Sequence, residues 1–116
     1  MPNGKNRKPS PSTATGVKLR LVFAMHDTLM GGTTTMTQAP RIAVDVAVPP
    51  AEGRLAWLQI VRDGQTVHHY GGEGQRSRYV VTDEECPGRQ PVAYWLRVRL
   101  TSGDMAWSSP VWITRT

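Results

Sequence analysis

Apolar and polar residues alternate with a period of two along most of this chain. Residues 17–24 put Val17, Leu19, Leu21 and Phe23 on one face, and residues 41–48 do the same with Ile42, Val44, Val46 and Val48. In residues 94–101, Tyr94, Leu96, Val98 and Leu100 alternate with Trp95, Arg97, Arg99 and Thr101. Each pattern predicts a strand with one buried and one wet face. Residues 55–62 are apolar on both faces, which predicts a central strand. Asp63-Gly64 follows, a two-residue hairpin signal that demands positive φ at both positions, and residues 65–70 supply the returning strand. A short strand over residues 77–82 and a final hairpin arm over residues 105–114 complete the set. Residues 25–39, 71–75 and 83–88 read as turns and polar connections. The fold class predicted is all-β, an immunoglobulin-like or fibronectin-like antiparallel sandwich of about seven strands. The Cys-Trp-Cys core of antibody domains is absent.

A chain of 116 residues accommodates one ordinary core. Residues 1–16, rich in Pro, Ser, Thr and Asn, lack the apolar content to fold and are expected to form a flexible basic tail or linker, leaving residues 17–116 as a single sandwich domain. Of the formal charge of +5, +3 lies in that tail, at Lys5, Arg7 and Lys8. In the body Arg62, Arg97 and Arg99 are interspersed with Asp63, Asp45 and Asp104, a pattern that predicts no nucleic-acid partner. No stretch has the apolar run of a secretory signal or a membrane span, so the expected location is cytoplasmic, with no membrane partner. Cys86 is the single cysteine, which excludes an internal disulfide and a thiolate zinc cluster.

Catalytic chemistry is hard to assemble from these residues. His68 and His69 are adjacent in a predicted strand and point to opposite faces, so they do not chelate one ion together. His26-Asp27 offers two ligands where a metal needs three or four. Asp83, Glu84 and Glu85 are consecutive and span no cleft, and read as a charged connection kept in water. Cys86 has no cationic neighbour in sequence to stabilise a thiolate. No phosphate-binding glycine loop and no nucleophile elbow occurs. The expectation is a chain that is not an enzyme, with no catalytic, cofactor-binding or metal-binding residues. Trp57, Trp107 and Trp112 are expected to pack in or beside the core, whereas Trp95 shares an outer face with Arg97 and Arg99. The expected interaction surface comprises Trp57, Val61, Trp95, Arg97 and Arg99. An alternative reading is a free-standing immunoglobulin-like module recognising a glycan or protein through Trp95 and loop residues His26, Asp27 and Arg89.

Thr13-Ala14-Thr15-Gly16-Val17-Lys18-Leu19-Arg20-Leu21, then Leu29-Met30-Gly31-Gly32, Ile60-Val61-Arg62-Asp63-Gly64-Gln65-Thr66-Val67, Tyr94-Trp95-Leu96-Arg97-Val98 and Ala106-Trp107-Ser108-Ser109-Pro110-Val111-Trp112 occur in that order. Together they resemble the C-terminal region of PHP-type (polymerase and histidinol phosphatase) metal-dependent hydrolases, over about residues 13–114. The resemblance implies a β-sandwich that completes a chain whose metal-binding domain comes first. The metal ligands of that family belong to the preceding domain, in His-x-His pairs, and no such pair occurs here. What the resemblance implies is a noncatalytic accessory domain, a fragment or free-standing descendant of a longer protein. Its expected partner is a PHP-type catalytic domain in cis or in trans, with self-association as a further outcome.

Overall fold

The structure is a computed structural model that describes residues 17–23, 28–72 and 74–116, without the side chain of Phe23. The expected tail over residues 1–16 and the pair His26-Asp27 lie outside the described residues.

Among the described residues nine strands form two sheets. The smaller has the order β1-β3-β6, with β1 at Lys18–Phe23, β3 at Arg41–Ala47 and β6 at Arg76–Thr82, all antiparallel. The larger has the order β2-β9-β7-β4-β5, formed by β2 at Thr33–Met36, β9 at Val111–Arg115, β7 at Pro91–Leu100, β4 at Leu55–Arg62 and β5 at Gln65–Gly71. The short strand β8, Met105–Trp107, also pairs with β7. The expected antiparallel sandwich is what folds, with two additions to the strand count. One is β2, whose Thr-rich stretch carries no clear alternation and which pairs parallel with β9. The other comes from the last arm, which breaks at Ser108-Ser109-Pro110 into β8 and β9.

The inward rows follow the predicted alternation. Leu21, Ile42, Val46, Leu58, Ile60, Leu96, Val98 and Ile113 are fully buried between the sheets. At about 1.5–3 kcal/mol for each large apolar side chain taken out of water, these rows are the main source of stability. Asp63 and Gly64 take φ of 50° and 88°, as a two-residue hairpin with that twist requires. Cys86 is buried against the core, its Sγ 3.6 Å from the carbonyl oxygen of Pro87.

The connection between β6 and β7 departs from its expected role. Asp83 does not keep a turn in water; it is buried. Its Oδ2 accepts from Nη1 of Arg62 and from the hydroxyl of Tyr94, both at 2.6 Å, and its Oδ1 accepts from the backbone N–H of Glu85. Burial alone would raise the Asp83 pKa, but the Tyr94 and Arg62 donors and the Arg62 charge outweigh it, and the carboxyl is held below its ordinary value. Burial and the same carboxylate push Tyr94 far up, so its proton stays in place.

Candidate interaction surface

The outer face of the larger sheet carries all four tryptophans of the chain. Register shows it directly. Trp57 lies opposite Arg99, Val61 opposite Trp95, Arg97 opposite Trp107, and Ala93 opposite Trp112. Every one of these positions projects away from the core, because its chain neighbours Tyr94, Leu96, Val98, Ala106, Val111 and Ile113 are buried inward. Trp107 is 48% and Trp112 42% exposed, while Trp57 and Trp95 are half-buried.

The placement of Trp107 and Trp112 corrects the expectation that they pack with the core. Five positions apart, they would face opposite ways on an unbroken strand. The break at 108–110 shifts the phase, so both point outward. Ser108 makes the break tolerable: its N–H donates to the Leu96 carbonyl at 3.0 Å, and its Oγ accepts from the Leu96 N–H at 2.9 Å. A side chain thus stands in for the missing ladder partner, and Pro110 has no N–H to satisfy. Trp57 owes its direction to a similar irregularity, a register shift between Leu55 and Trp57.

Val61 also departs from expectation. Its sequence position makes it an outward, accessible contributor to the surface, yet it is 1% exposed. It does face outward, opposite Trp95 on β7 and Thr66 on β5, and is nonetheless covered. Ala93 is buried on the same face in the same way. Val61 is therefore part of the floor of this surface rather than of its contact layer.

Between the rings runs a polar row that spans three strands. Oε1 of Gln59 accepts from Nε and Nη2 of Arg97 at 2.9 and 2.8 Å, and Nη2 also donates to Thr66 Oγ1 at 3.1 Å. Nε2 of Gln59 lies 3.1 Å from Nδ1 of His69, whose ring tilts against Trp57 with centroids 5.9 Å apart. Arg97 is thus held by neutral acceptors and makes no ion pair among the described residues. Arg99 is exposed beside it. The surface is aromatic and cationic, and its polar members Gln59, Thr66, His69 and Arg97 are held by one another.

His68 turns inward beside Tyr70, away from His69, as the alternation predicts. Arg89 is exposed, with φ of 66°. Among the described residues no group of three or more His, Cys, Asp or Glu side chains is placed to hold a metal ion, and no helix is long and apolar enough to cross a membrane.

No family model matches the chain. It is similar to proteins of Chlamydia muridarum, Chlamydia trachomatis and Chlamydia pneumoniae, each described as uncharacterized, at 25%, 26% and 27% identity over 112 residues. Each match covers 85% of this chain and 18% of the relative, so the chain spans less than a fifth of the length of these relatives.

Proposed function

We propose that this chain is a noncatalytic β-sandwich domain that packs against a neighbouring domain through the tryptophan-bearing face of its larger sheet. The observation that carries this reading is the gathering of all four tryptophans on that one outer face, two of them nearly half exposed. Small soluble domains leave few large aromatics in water, and a contiguous set of them on a flat face is the composition of a contact surface, where Trp and Arg are enriched. Matching segments of the relatives lie within chains several times longer, which gives such a surface a neighbour to meet. The resemblance to the C-terminal region of PHP-type hydrolases makes a metal-dependent hydrolase domain that neighbour, in cis or in trans.

The test is association. The wild-type chain is expected to self-associate in sedimentation experiments or to bind a purified PHP-type catalytic domain, and the Trp107→Ser, Trp112→Ser double variant is expected to do neither while melting as wild type does. A strict monomer at high concentration that ignores the catalytic domain would overturn this reading. Retention of a glycan by those two rings would move the assignment to an independent binding module.

A further inference from the structure

The outer face of the other sheet is different in kind: it is basic, and it holds the whole charge imbalance of the described residues. Register places Lys18, Ala47 and Arg76 in one row across β1, β3 and β6, Arg20, Asp45 and Arg78 in the next, then Val22, Ala43 and Val80, and finally Arg41 beside Thr82. Five cations therefore share this face with one acid. The described residues contain eleven Lys and Arg and seven Asp and Glu, so the six basic and six acidic side chains elsewhere balance. Summed over the larger sheet and the loops the charges balance, whereas on this face they do not, because residues far apart in the chain are neighbours on a sheet.

The one acid is already engaged. Asp45 accepts from Nε and Nη2 of Arg76 at 3.2 and 2.9 Å, and Nε of Arg78 lies 3.6 Å away. Lys18, Arg20 and Arg41 are exposed and make no ion pair among the described residues. Lys18 follows by two positions the segment 1–16, which adds Lys5, Arg7 and Lys8 and no acid to the same end of the chain.

We propose that this face binds the phosphate backbone of nucleic acid without reading its sequence. The spacing of the cations fits such a partner, since same-face residues on one strand are about 7 Å apart and those two strands apart about 10 Å, so a flat array of cations meets a repeating array of phosphates. Four of the five cations are arginines, whose forked donors fit phosphate oxygens bidentately. One absence on the described part of the face narrows the choice of both partner and mode. It carries no aromatic ring for stacking an unpaired base, so contact is with the backbone rather than with bases. Leu29 and Met30, from the loop after β1, border the face beside Lys18 and Arg20, but the same lack of Trp, Tyr or Phe leaves it without the aromatic anchors of an interfacial membrane surface. This inference is independent of the proposed docking role, which uses the opposite sheet.

The experiment is fluorescence anisotropy with a labelled 20-base-pair DNA duplex and its RNA counterpart, titrated with the full chain at several salt concentrations. Binding of both at low salt is expected, with log K falling against log salt at a slope of about −3 to −4 from the face alone and steeper with the N-terminal cations included. Arg20→Glu with Arg41→Glu is expected to weaken binding at least tenfold and to flatten the slope by about 2, whereas Arg54→Glu, at an exposed position outside both faces, changes neither. Asp45→Asn gives a readout that misfolding cannot imitate: removing the acid is expected to tighten binding several-fold. Four results would overturn the proposal: no binding at low salt, loss of all binding with Lys5, Arg7 and Lys8 changed to Ala, an unchanged affinity in the Asp45 variant, or binding to vesicles of phosphatidylserine but not to either duplex.

Discussion

The hydroxyl of Tyr94 donates to Oδ2 of Asp83 at 2.6 Å, and the same oxygen takes Nη1 of Arg62 at 2.6 Å. One buried carboxylate thereby joins the start of β7, the end of β4 and the connection leaving β6. Removing the hydroxyl with Tyr94→Phe forfeits a hydrogen bond to a charged group, a loss of about 1.5–3 kcal/mol. Changing Asp83 to Ala leaves Arg62 largely buried without its counter-charge, at a cost of about 3–5 kcal/mol. Because all three groups share one oxygen, the two variants combined should cost less than the sum. Urea denaturation of the single and double variants measures this, and strict additivity would show that the contacts act separately.

The same groups set how stability responds to pH. The Asp83 carboxyl lies below its ordinary value through the Tyr94 and Arg62 donors, which overcome its burial, and the Asp45 carboxyl lies below it chiefly through its bond from Arg76. Between the depressed native value and the ordinary one of about 3.9, the unfolded chain binds the extra protons. Their stabilisation is therefore complete above that ordinary value and disappears as pH falls below it. Tyr94 works at the other end: its native pKa is raised, so above about pH 10 the unfolded tyrosine ionises first and stability falls. Melting temperatures measured across pH should drop on both limbs, with Asp83→Asn flattening the acid limb and Tyr94→Phe the alkaline one.

What the sequence discloses here is what depends on neighbours two positions apart. The alternation at Ile42, Val44 and Val46 and at Tyr94, Leu96 and Val98 is enough to orient β3 and β7, and Asp63-Gly64 is enough to join β4 to β5. Burial of Asp83 is not legible in this way, since its partners Arg62 and Tyr94 are 21 and 11 positions distant. The β2 strand is hidden for a related reason: Thr33 to Thr35 carry little apolar signal, and their pairing is supplied by β9 at the other end of the chain. Of the expected interaction residues, Trp57, Trp95, Arg97 and Arg99 share the outer face. Trp107 and Trp112 escape the pattern because an unbroken alternation would send them to opposite faces, and only the interruption at Ser108-Ser109-Pro110 turns both outward. A proline after two serines is the local signal that it does not.

Ser77 presents the reverse of the Asp83 arrangement. It lies on the inward side of β6, 5% exposed, and its hydroxyl oxygen has no hydrogen-bond partner among the described residues. A buried hydroxyl without a partner loses its hydration and regains nothing, so removing it costs little packing and relieves a penalty of about 1–3 kcal/mol. Ser77→Ala should therefore raise the melting temperature. A fall would show that the hydroxyl is satisfied by an enclosed water.

Gly71 and Gly72, adjacent at the end of β5, should behave oppositely. A Cβ on Gly72 would come within 1.7 Å of the Leu55 carbonyl oxygen, whereas one on Gly71 meets nothing within 4 Å. The close approach belongs to the irregular pairing at the start of β4, where the Gly72 N–H donates to the Ala56 carbonyl. Gly72→Ala must push two backbones apart and should cost about 2–4 kcal/mol, as overpacking against rigid groups does. Gly71→Ala should be near neutral, and equal losses in the two variants by thermal melting would contradict this geometry.

Ser108 controls the phase of the tryptophan face and offers the most direct test of how that face is built. Its Oγ is the acceptor for the buried Leu96 N–H, and its own N–H returns a bond to Leu96. Alanine at this position leaves the Leu96 N–H buried and unpaired while keeping the backbone bond, a loss of about 1–3 kcal/mol. Ser109 is half-buried and makes no comparable contact among the described residues, so Ser109→Ala should be tolerated. The local effect should be visible as well as the global one. With the side-chain bond gone, the break between β8 and β9 loosens, and amide exchange at Leu96 should accelerate more than at Val98, whose neighbours on β8 are unchanged. If Ser108→Ala melts as wild type does and Leu96 stays protected, the shift that turns both Trp107 and Trp112 outward must be held by Pro110 and its contact with Gly31 rather than by the serine.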